Sequence, residues 1–464
     1  MTSGSGQQTE LRKRRSPSSS SSSEEPRSKQ AQLKKEKASQ PPDQPCHSPQ
    51  DSLFSSTSGY TNFWGFFNLA MLLLIVSNAR VALENFIKYG ILIKPFQWIN
   101  ALSEDPWTWP NLVMLFCSNI TCILVFFTEK ILAKKWIGEK IAVVWYIALI
   151  SAHLTLPVLV TLWLKGNPLF ASLALAIIVV EALKLVSYIH VNYWCRGALK
   201  SGEKPKNLLY PSNLTLSNFY YFMFAPTLCY ELKFPRTPGR RPKFILKRLA
   251  EFLCFGILGV ALCEQWVVPL VKNSMGTLKD MDIFLCIERV CKLAVPNHII
   301  WLLFFYTIFH SSLNLLAEIL RFADREFYRD FWNAETIQYF WQTWNIPVHR
   351  WCVRHVYKPF IRNGYSRLTA SVAVFFISAI FHEYLVSVPL HMFRMWAFLA
   401  MLSQIPLSML TEKILKGGRA GNIVVWLSLL VGQPMAILIY VHDYYWLHHP
   451  IEMKLNATEH LPPH

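Results

Sequence analysis

The chain has 464 residues, 52% of them apolar and only 16% charged, with a formal net charge of +17. Soluble domains run near 45–50% apolar and about 25% charged, so the departure lies in the missing charge. A disordered chain, a collagen, a coiled coil and a small disulfide scaffold are excluded, and an all-α polytopic membrane protein is indicated.

Residues 1–50 combine the basic run Leu11-Arg12-Lys13-Arg14-Arg15, serines from Ser18 to Ser23, and Pro41, Pro42 and Pro45. Such a stretch cannot bury enough apolar surface to offset ordering entropy, and a disordered tail is expected. Its basic run is either solvated or drawn to anionic headgroups, worth about 1 kcal/mol per residue. Over 51–65, aromatic residues return at Phe54, Tyr60, Phe63 and Trp64, which suits a segment that docks on something folded. With some 60 polar residues ahead of the first apolar run, that run is expected to direct insertion itself.

Nine apolar runs have spanning length: 63–83, 110–128, 141–164, 168–188, 249–271, 293–316, 369–390, 392–410 and 422–441. With the N-terminus cytosolic, 35 Lys/Arg fall in cytosolic segments and eight in lumenal ones, with Arg80, Lys184 and Arg394 inside spans. That split is the positive-inside bias. It accounts for the basicity without nucleic acid, for which no groove-reading motif is present. The same topology places a short lumenal tail at 446–464 and makes the sequons at Asn119 and Asn213 unsuited to glycosylation. The ten cysteines are scattered, with neither a C-x-x-C nor a Cys/His zinc spacing, so no metal site is expected.

Two polar segments are too aromatic for free linkers. The stretch 189–248 contains NFYYFMFAPTLCYELKFP, which suggests an interfacial lining, and 317–368 carries Trp332, Trp341, Trp344 and Trp351 among eight basic residues. The latter suggests amphipathic helices in the headgroup plane, a floor on which a charged substrate docks.

The sharpest anomaly is His382-Glu383 in the middle of SVAVFFISAIFHEYLVSVPL. Ionisable groups at that depth cost about 2.5–3.5 kcal/mol and normally face a bundle interior or a wet cavity. Ser371, Ser378 and His382 stand at i, i+7 and i+11, one helical face, while Glu383 and Ser387 form a second polar row. A histidine there is either a packing hydrogen bond or a general base. No G-x-S-x-G elbow, Cys/His pair or H-E-x-x-H accompanies it, so direct abstraction of a hydroxyl proton fits better than a covalent intermediate. Gln342, Asn345, Gln404 and Gln433 are further polar side chains in or beside apolar runs, each suited to helix packing and together able to line a polar tunnel.

Phe327-Tyr328-Arg329-Asp330-Phe331-Trp332-Asn333 resembles the FYxDWWN signature of the acyl-CoA-dependent membrane-bound O-acyltransferases, with Phe331 in place of the first Trp. Trp344-Asn345-Ile346-Pro347-Val348-His349 and Phe381-His382-Glu383-Tyr384 resemble that family's second and third blocks, and the similarity runs through 51–445. The resemblance implies an all-α fold of about nine transmembrane helices with interfacial amphipathic helices, a catalytic domain over 66–445, and an oligomerisation segment at 51–65. It implies a catalytic group of His382, Asn345, Glu383 and Gln433. Acyl-CoA binding falls to Phe327, Tyr328, Asp330, Trp332, Asn333, Trp341, Gln342, Trp344 and His349. The expected reaction is acyl transfer from acyl-CoA to the hydroxyl of diacylglycerol without a cofactor, in the endoplasmic reticulum membrane, by a homodimer or homotetramer. A sterol acceptor is the alternative within the family. A transporter using His382 and Glu383 as a proton relay is the alternative outside it.

Overall fold

The computed structural model describes residues 64–94, 110–164, 167–201, 210–274 and 283–448. The tail 1–50, all of the 51–65 segment up to residue 63, and residues 449–464 lie outside them. The chain divides into two compact units, Met1–Ile75 and Val76–His464. The first is represented by Trp64–Ile75, the start of a helix that runs on to Tyr89; the side-chain contacts below lie within the second.

Helix α1 runs Trp64–Tyr89, α2 Pro110–Ala133, α3 Glu139–Leu164 and α4 Pro168–Lys200. After the short α5 (Leu216–Phe224) come α6, Pro242–Lys272 with a π turn at Cys263–Val267, and α7, Ile283–Ile319 with a π turn at Tyr306–Ser312. The polar segment that follows holds a 3₁₀ turn at Phe331–Asn333, α8 (Ile337–Thr343) and α9 (Ile346–Cys352), which continues through a π turn to Arg362. Then come α10 (Arg367–Leu390), α11 (Trp396–Leu402), α12 (Gln404–Met409) with the π turn Leu410–Ile414, and α13 (Gly418–His448). No strand occurs among the described residues, only an isolated bridge between Arg236 and Phe322.

Among the described residues eight helices are long and apolar enough to cross a membrane, and they hold eight of the nine expected runs, the first from residue 64 onward. The remaining run, 392–410, becomes helical only at Trp396 and is broken at Ser403, which keeps right-handed dihedrals (φ −62°, ψ −17°) between α11 and α12. Pro406 explains the break. It has no N–H for the Leu402 carbonyl and its ring crowds that turn. The long helices expose large apolar side chains, Trp163 at 81% and Ile141 at 68%, as surfaces made for lipid do.

Caps fix where the helices start. Asn167 Oδ1 accepts the Leu169 N–H at 2.9 Å ahead of Pro168, and Ser366 Oγ accepts that of Thr369 at 3.1 Å. At the end of α10, His391 takes the left-handed region (φ 55°) and Met392 N–H closes onto Ser387 O at 3.0 Å, the pattern that satisfies terminal carbonyls.

The aromatic stretch expected to line the interface instead builds the core. Phe219, Phe222 and Tyr230 are fully buried with Phe126 of α2 and Tyr188 of α4, in edge and tilted ring contacts of 4.8–5.5 Å. Lys184, a charge inside a span, belongs to this arrangement. Its ammonium donates to the carbonyls of Phe222 (3.0 Å), Met223 (2.8 Å) and Ala225 (2.6 Å). Three protons meet three carbonyls at the negative end of α5. Asn213, one of the sequons, is buried, its amide donating to Asn192 Oδ1 and Tyr230 OH at 3.0 Å each, so it is closed to modification in the folded protein.

Candidate active site

The 327–349 segment folds back on itself. Ile346 N–H bonds to Phe327 O at 3.0 Å and Arg329 N–H to Thr343 O at 2.8 Å, so the signature lies against the start of α9. Phe327 and Phe331 are buried. Phe331 packs on Phe305 at 4.7 Å, with Trp301 and Phe340 around it at 6.0 Å. An aromatic is needed at this position, and Phe fills it where the family signature has Trp. Tyr328 OH meets His310 Nδ1 at 2.7 Å. Asp330 accepts from Tyr339 OH at 2.8 Å and Asn333 Nδ2 at 3.4 Å; these bonds hold its carboxyl below the usual range. Trp332 is half exposed, and its carbonyl accepts from Asn422 Nδ2 and Trp426 Nε1 of α13, both at 3.2 Å.

Trp344 stacks on Phe340 (6.1 Å, 3°) and Trp301 (6.3 Å), and Trp341 stands edge-on to it at 6.0 Å. Trp341 also touches Phe375 of α10 at 6.5 Å. Phe375 lies seven residues before His382, two turns along the same face. Through this ring contact the signature segment meets the helix that carries the histidine. With the Gln338 amide nitrogen turned to the Glu412 carboxylate, its oxygen accepts from Gln342 Nε2 at 3.1 Å. Burial, with Arg329 and Arg350 nearby, lowers the pKa of His349 and keeps its ring neutral at pH 7.

His382 Nδ1 lies 2.8 Å from the Ser378 carbonyl oxygen and 3.4 Å from Ser378 Oγ. A carbonyl only accepts, so Nδ1 carries the proton and Nε2 presents its lone pair. The ring is accessible although it stands at the middle of a span. One residue on and about 100° round the helix, Glu383 is buried and saturated. It accepts from Ser387 Oγ, Met395 N–H (2.9 Å), Phe398 N–H (3.1 Å) and Tyr440 OH (3.2 Å). Its place is therefore against α11 and α13, away from the open side of His382.

Asn345 is the N-cap of α9, its Oδ1 accepting the Val348 N–H at 3.3 Å. The oxygen's role fixes the amide, leaving Nδ2 as a donor. Gln433 Oε1 accepts from Asn297 Nδ2 at 3.2 Å, which likewise leaves Nε2. Among the described residues no hydrogen bond joins His382, Asn345 and Gln433 directly; they stand on three separate elements. Sequence reasoning missed Asn297 and His310, although each gives the signal that marked Gln433, a polar side chain inside an apolar run.

The family model for the membrane-bound O-acyltransferase family matches residues 96–442. The chain belongs to this family. Among curated relatives of the membrane-bound O-acyltransferases, it is 50% identical over 415 residues to a diacylglycerol O-acyltransferase 1 of Homo sapiens, covering 87% of this chain and 85% of that one. The relative of the same name from Bos taurus is 50% identical over 418 residues, covering 87% and 85%. A third, also so named, from Corylus americana is 40% identical over 390 residues, covering 82% and 72%.

Proposed function

We propose that this chain transfers an acyl group from acyl-CoA to the free hydroxyl of diacylglycerol, giving triacylglycerol and CoA. The observation that carries the reading is the tautomer of His382, held Nδ1-protonated by a backbone carbonyl in mid-span with Nε2 open. The names of the relatives support the choice of acceptor.

His382 Nε2 takes the hydroxyl proton as the oxygen attacks the thioester carbon. Negative charge gathers on the former carbonyl oxygen, for which Asn345 Nδ2 and Gln433 Nε2 are the donors. Collapse breaks the carbon–sulfur bond, and the thiolate takes the proton back from Nε2. Atoms and charge balance with the two substrates alone, so the reading calls on no cofactor. Phe327–Asn333 and Trp341–His349 form the acyl-CoA side of the site. The same reading sets the protein in the endoplasmic reticulum membrane as a homodimer or homotetramer, with a cytosolic N-terminus and, counting the broken α11–α12 as a crossing, a lumenal C-terminus.

The test is purified protein in nanodiscs with labelled acyl-CoA and a panel of acceptors. Labelled triacylglycerol formed from added diacylglycerol is the expected result. Sterol ester in its place would reassign the acceptor, and no acylated product from any acceptor would leave the proton-relay transporter as the better account of His382.

A further inference from the structure

Away from His382, helices α3 and α4 flank an open groove, a cavity of about 410 Å³ on the outer face of the bundle. It is lined by the α3 face from Glu139 to Ser151 and the α4 face from Val186 to Arg196, each at helical spacing. The walls are apolar, formed by residues such as Val143, Ile147, Ile150 and Val186. Besides the hydroxyls of Tyr146, Ser151 and Tyr193, polar groups stand at two places.

At one end, Glu139 accepts from Arg196 Nε at 3.0 Å and Lys200 Nζ at 3.4 Å. Arg196 also pairs with the fully buried Glu129, which accepts from Tyr146 OH at 2.8 Å. Two carboxylates thus face two cations, and this end is neutral as a whole. A phosphate would find the guanidinium already held by both carboxylates and would meet the charge of Glu139. A hydroxyl would find an acceptor.

The second polar place is His190, about 9 Å along α4 from Arg196 at 1.5 Å per residue. Its tautomer is set by the direction of the Ser187–His355 hydrogen bond, assigned with the buried hydroxyl as donor. Ser187 Oγ accepts the Tyr230 N–H at 2.8 Å, and its own proton has His355 Nε2, 2.8 Å away, as acceptor. His355 is then protonated on Nδ1 and donates to His190 Nδ1 at 3.1 Å. His190 in turn carries its proton on Nε2, a single N–H donor on a ring that lines the cavity. Trp194 stacks on His355 (5.6 Å, 9°) and fixes the relay. Burial, with His190 and Arg354 close by, pushes the His355 pKa down to about 3, so His355 is neutral at pH 7.

We propose that the α3–α4 cavity is a binding site for a neutral acylglycerol, whose free hydroxyl donates to Glu139, whose ester carbonyl accepts from His190 Nε2–H, and whose chain lies along the apolar wall. A neutral headgroup with one hydroxyl and one carbonyl has partners in Glu139 and His190; the phosphate of a phospholipid has no free cation here. The volume is within the usual range for small-molecule sites. The site is separate from His382 and stands whether or not acyl transfer is the chain's reaction.

The full chain in phosphatidylcholine nanodiscs, irradiated with a photoactivatable diacylglycerol and mapped by peptide mass spectrometry, tests this. Label is expected in peptides covering 139–151 and 186–196, displaced by excess diacylglycerol and retained in His382→Ala. His190→Leu, which removes the donor, and Ile147→Trp, which fills the cavity, should each lower that label about fivefold, as loss of one hydrogen bond does. The proposal is overturned if those peptides are unlabelled, if neither variant changes the label, or if a photoactivatable phosphatidylcholine labels them equally and diacylglycerol does not displace it.

Discussion

Tyr440 of α13 donates to Glu383 Oε2 at 3.2 Å while accepting the Ala397 N–H at 2.8 Å. Glu383 itself accepts from Met395 and Phe398 N–H. Met395, at the start of α11, is in the left-handed region and offers no side-chain cap. The pair therefore does from a distance what an N-cap does locally, satisfying orphan N–H groups at the positive end of α11. Glu383→Ala strands backbone donors and should destabilise by at least about 2 kcal/mol, Tyr440→Phe by about 1 kcal/mol. Thermal unfolding of the purified variants measures this. A Glu383→Ala protein that melts like wild type yet has lost turnover would place Glu383 in the chemistry instead.

His382→Ala should lower acyl transfer by about 10²–10⁴-fold, the usual contribution of a general base, with the melting temperature little changed. Ser378→Ala separates the backbone from the side chain. The carbonyl at 2.8 Å holds Nδ1 and survives the substitution, whereas the hydroxyl at 3.4 Å is the weaker contact. Turnover within about threefold of wild type is expected. A hundredfold loss in Ser378→Ala would assign the tautomer to the hydroxyl.

Gly421 opens α13 directly beneath the signature segment. A Cβ there would stand 1.9 Å from the Glu335 carbonyl oxygen, a distance that only backbone movement can relieve. Glu335 Oε2 also accepts the Gly418 N–H at 3.0 Å, and Asn422 Nδ2 donates to Ala334 O at 2.8 Å. Gly421→Ala must push 331–336 off α13, with a cost of about 1–3 kcal/mol. Raised KM for acyl-CoA together with a lowered melting temperature is the expected signature. Wild-type values for both would show that the segment yields freely.

Folding stability should fall on acidification through His355. Its folded pKa is depressed to about 3 against about 6.5 when unfolded. Below pH 6.5 the unfolded chain binds a proton that the folded one refuses, so the stabilisation present above pH 6.5 is lost as pH falls toward 3. The slope is at most about 1.4 kcal/mol per pH unit, or about 2 kcal/mol between pH 6.5 and 5. His355→Asn should flatten it. Denaturant unfolding at pH 7 and pH 5 on both proteins makes the comparison, and identical slopes would remove His355 as the cause.

What was legible in the sequence follows from range. Spans such as 110–128 and 369–390 read directly, because burial in lipid needs only a run of apolar residues, and the polar turns that extend them are local. The break at Ser403 was less visible, since the apolar count is indifferent to Pro406. The two polar rows of α10 also read from spacing: Ser378 reaches His382 and Ser387 reaches Glu383. Their partners did not. Tyr440 is 57 residues from Glu383 and Asn297 is 136 from Gln433, and no local pattern says which helices face one another. The burial of Phe219 and Tyr230 escaped for the same reason, because a loop rich in aromatics looks alike whether lipid or protein covers it.

Asn345 combines two roles in one amide, and they can be separated. Its Oδ1 caps α9 by accepting the Val348 N–H, and its Nδ2 is the donor assigned to the oxyanion. Asn345→Asp keeps an oxygen for the cap, since Asp is as good as Asn in that position, but removes both N–H groups and adds a negative charge where charge must gather. Asn345→Ala loses both roles. Asp should therefore melt near wild type while turnover falls by at least about 10²-fold. Ala should lose a comparable factor in turnover and, in addition, about 1 kcal/mol of stability. Measured side by side, thermal unfolding reports the cap and turnover of labelled acyl-CoA reports the donor. Should Asn345→Asp retain more than about a third of wild-type turnover, the amide would be a helix cap alone, and oxyanion stabilisation would rest on Gln433.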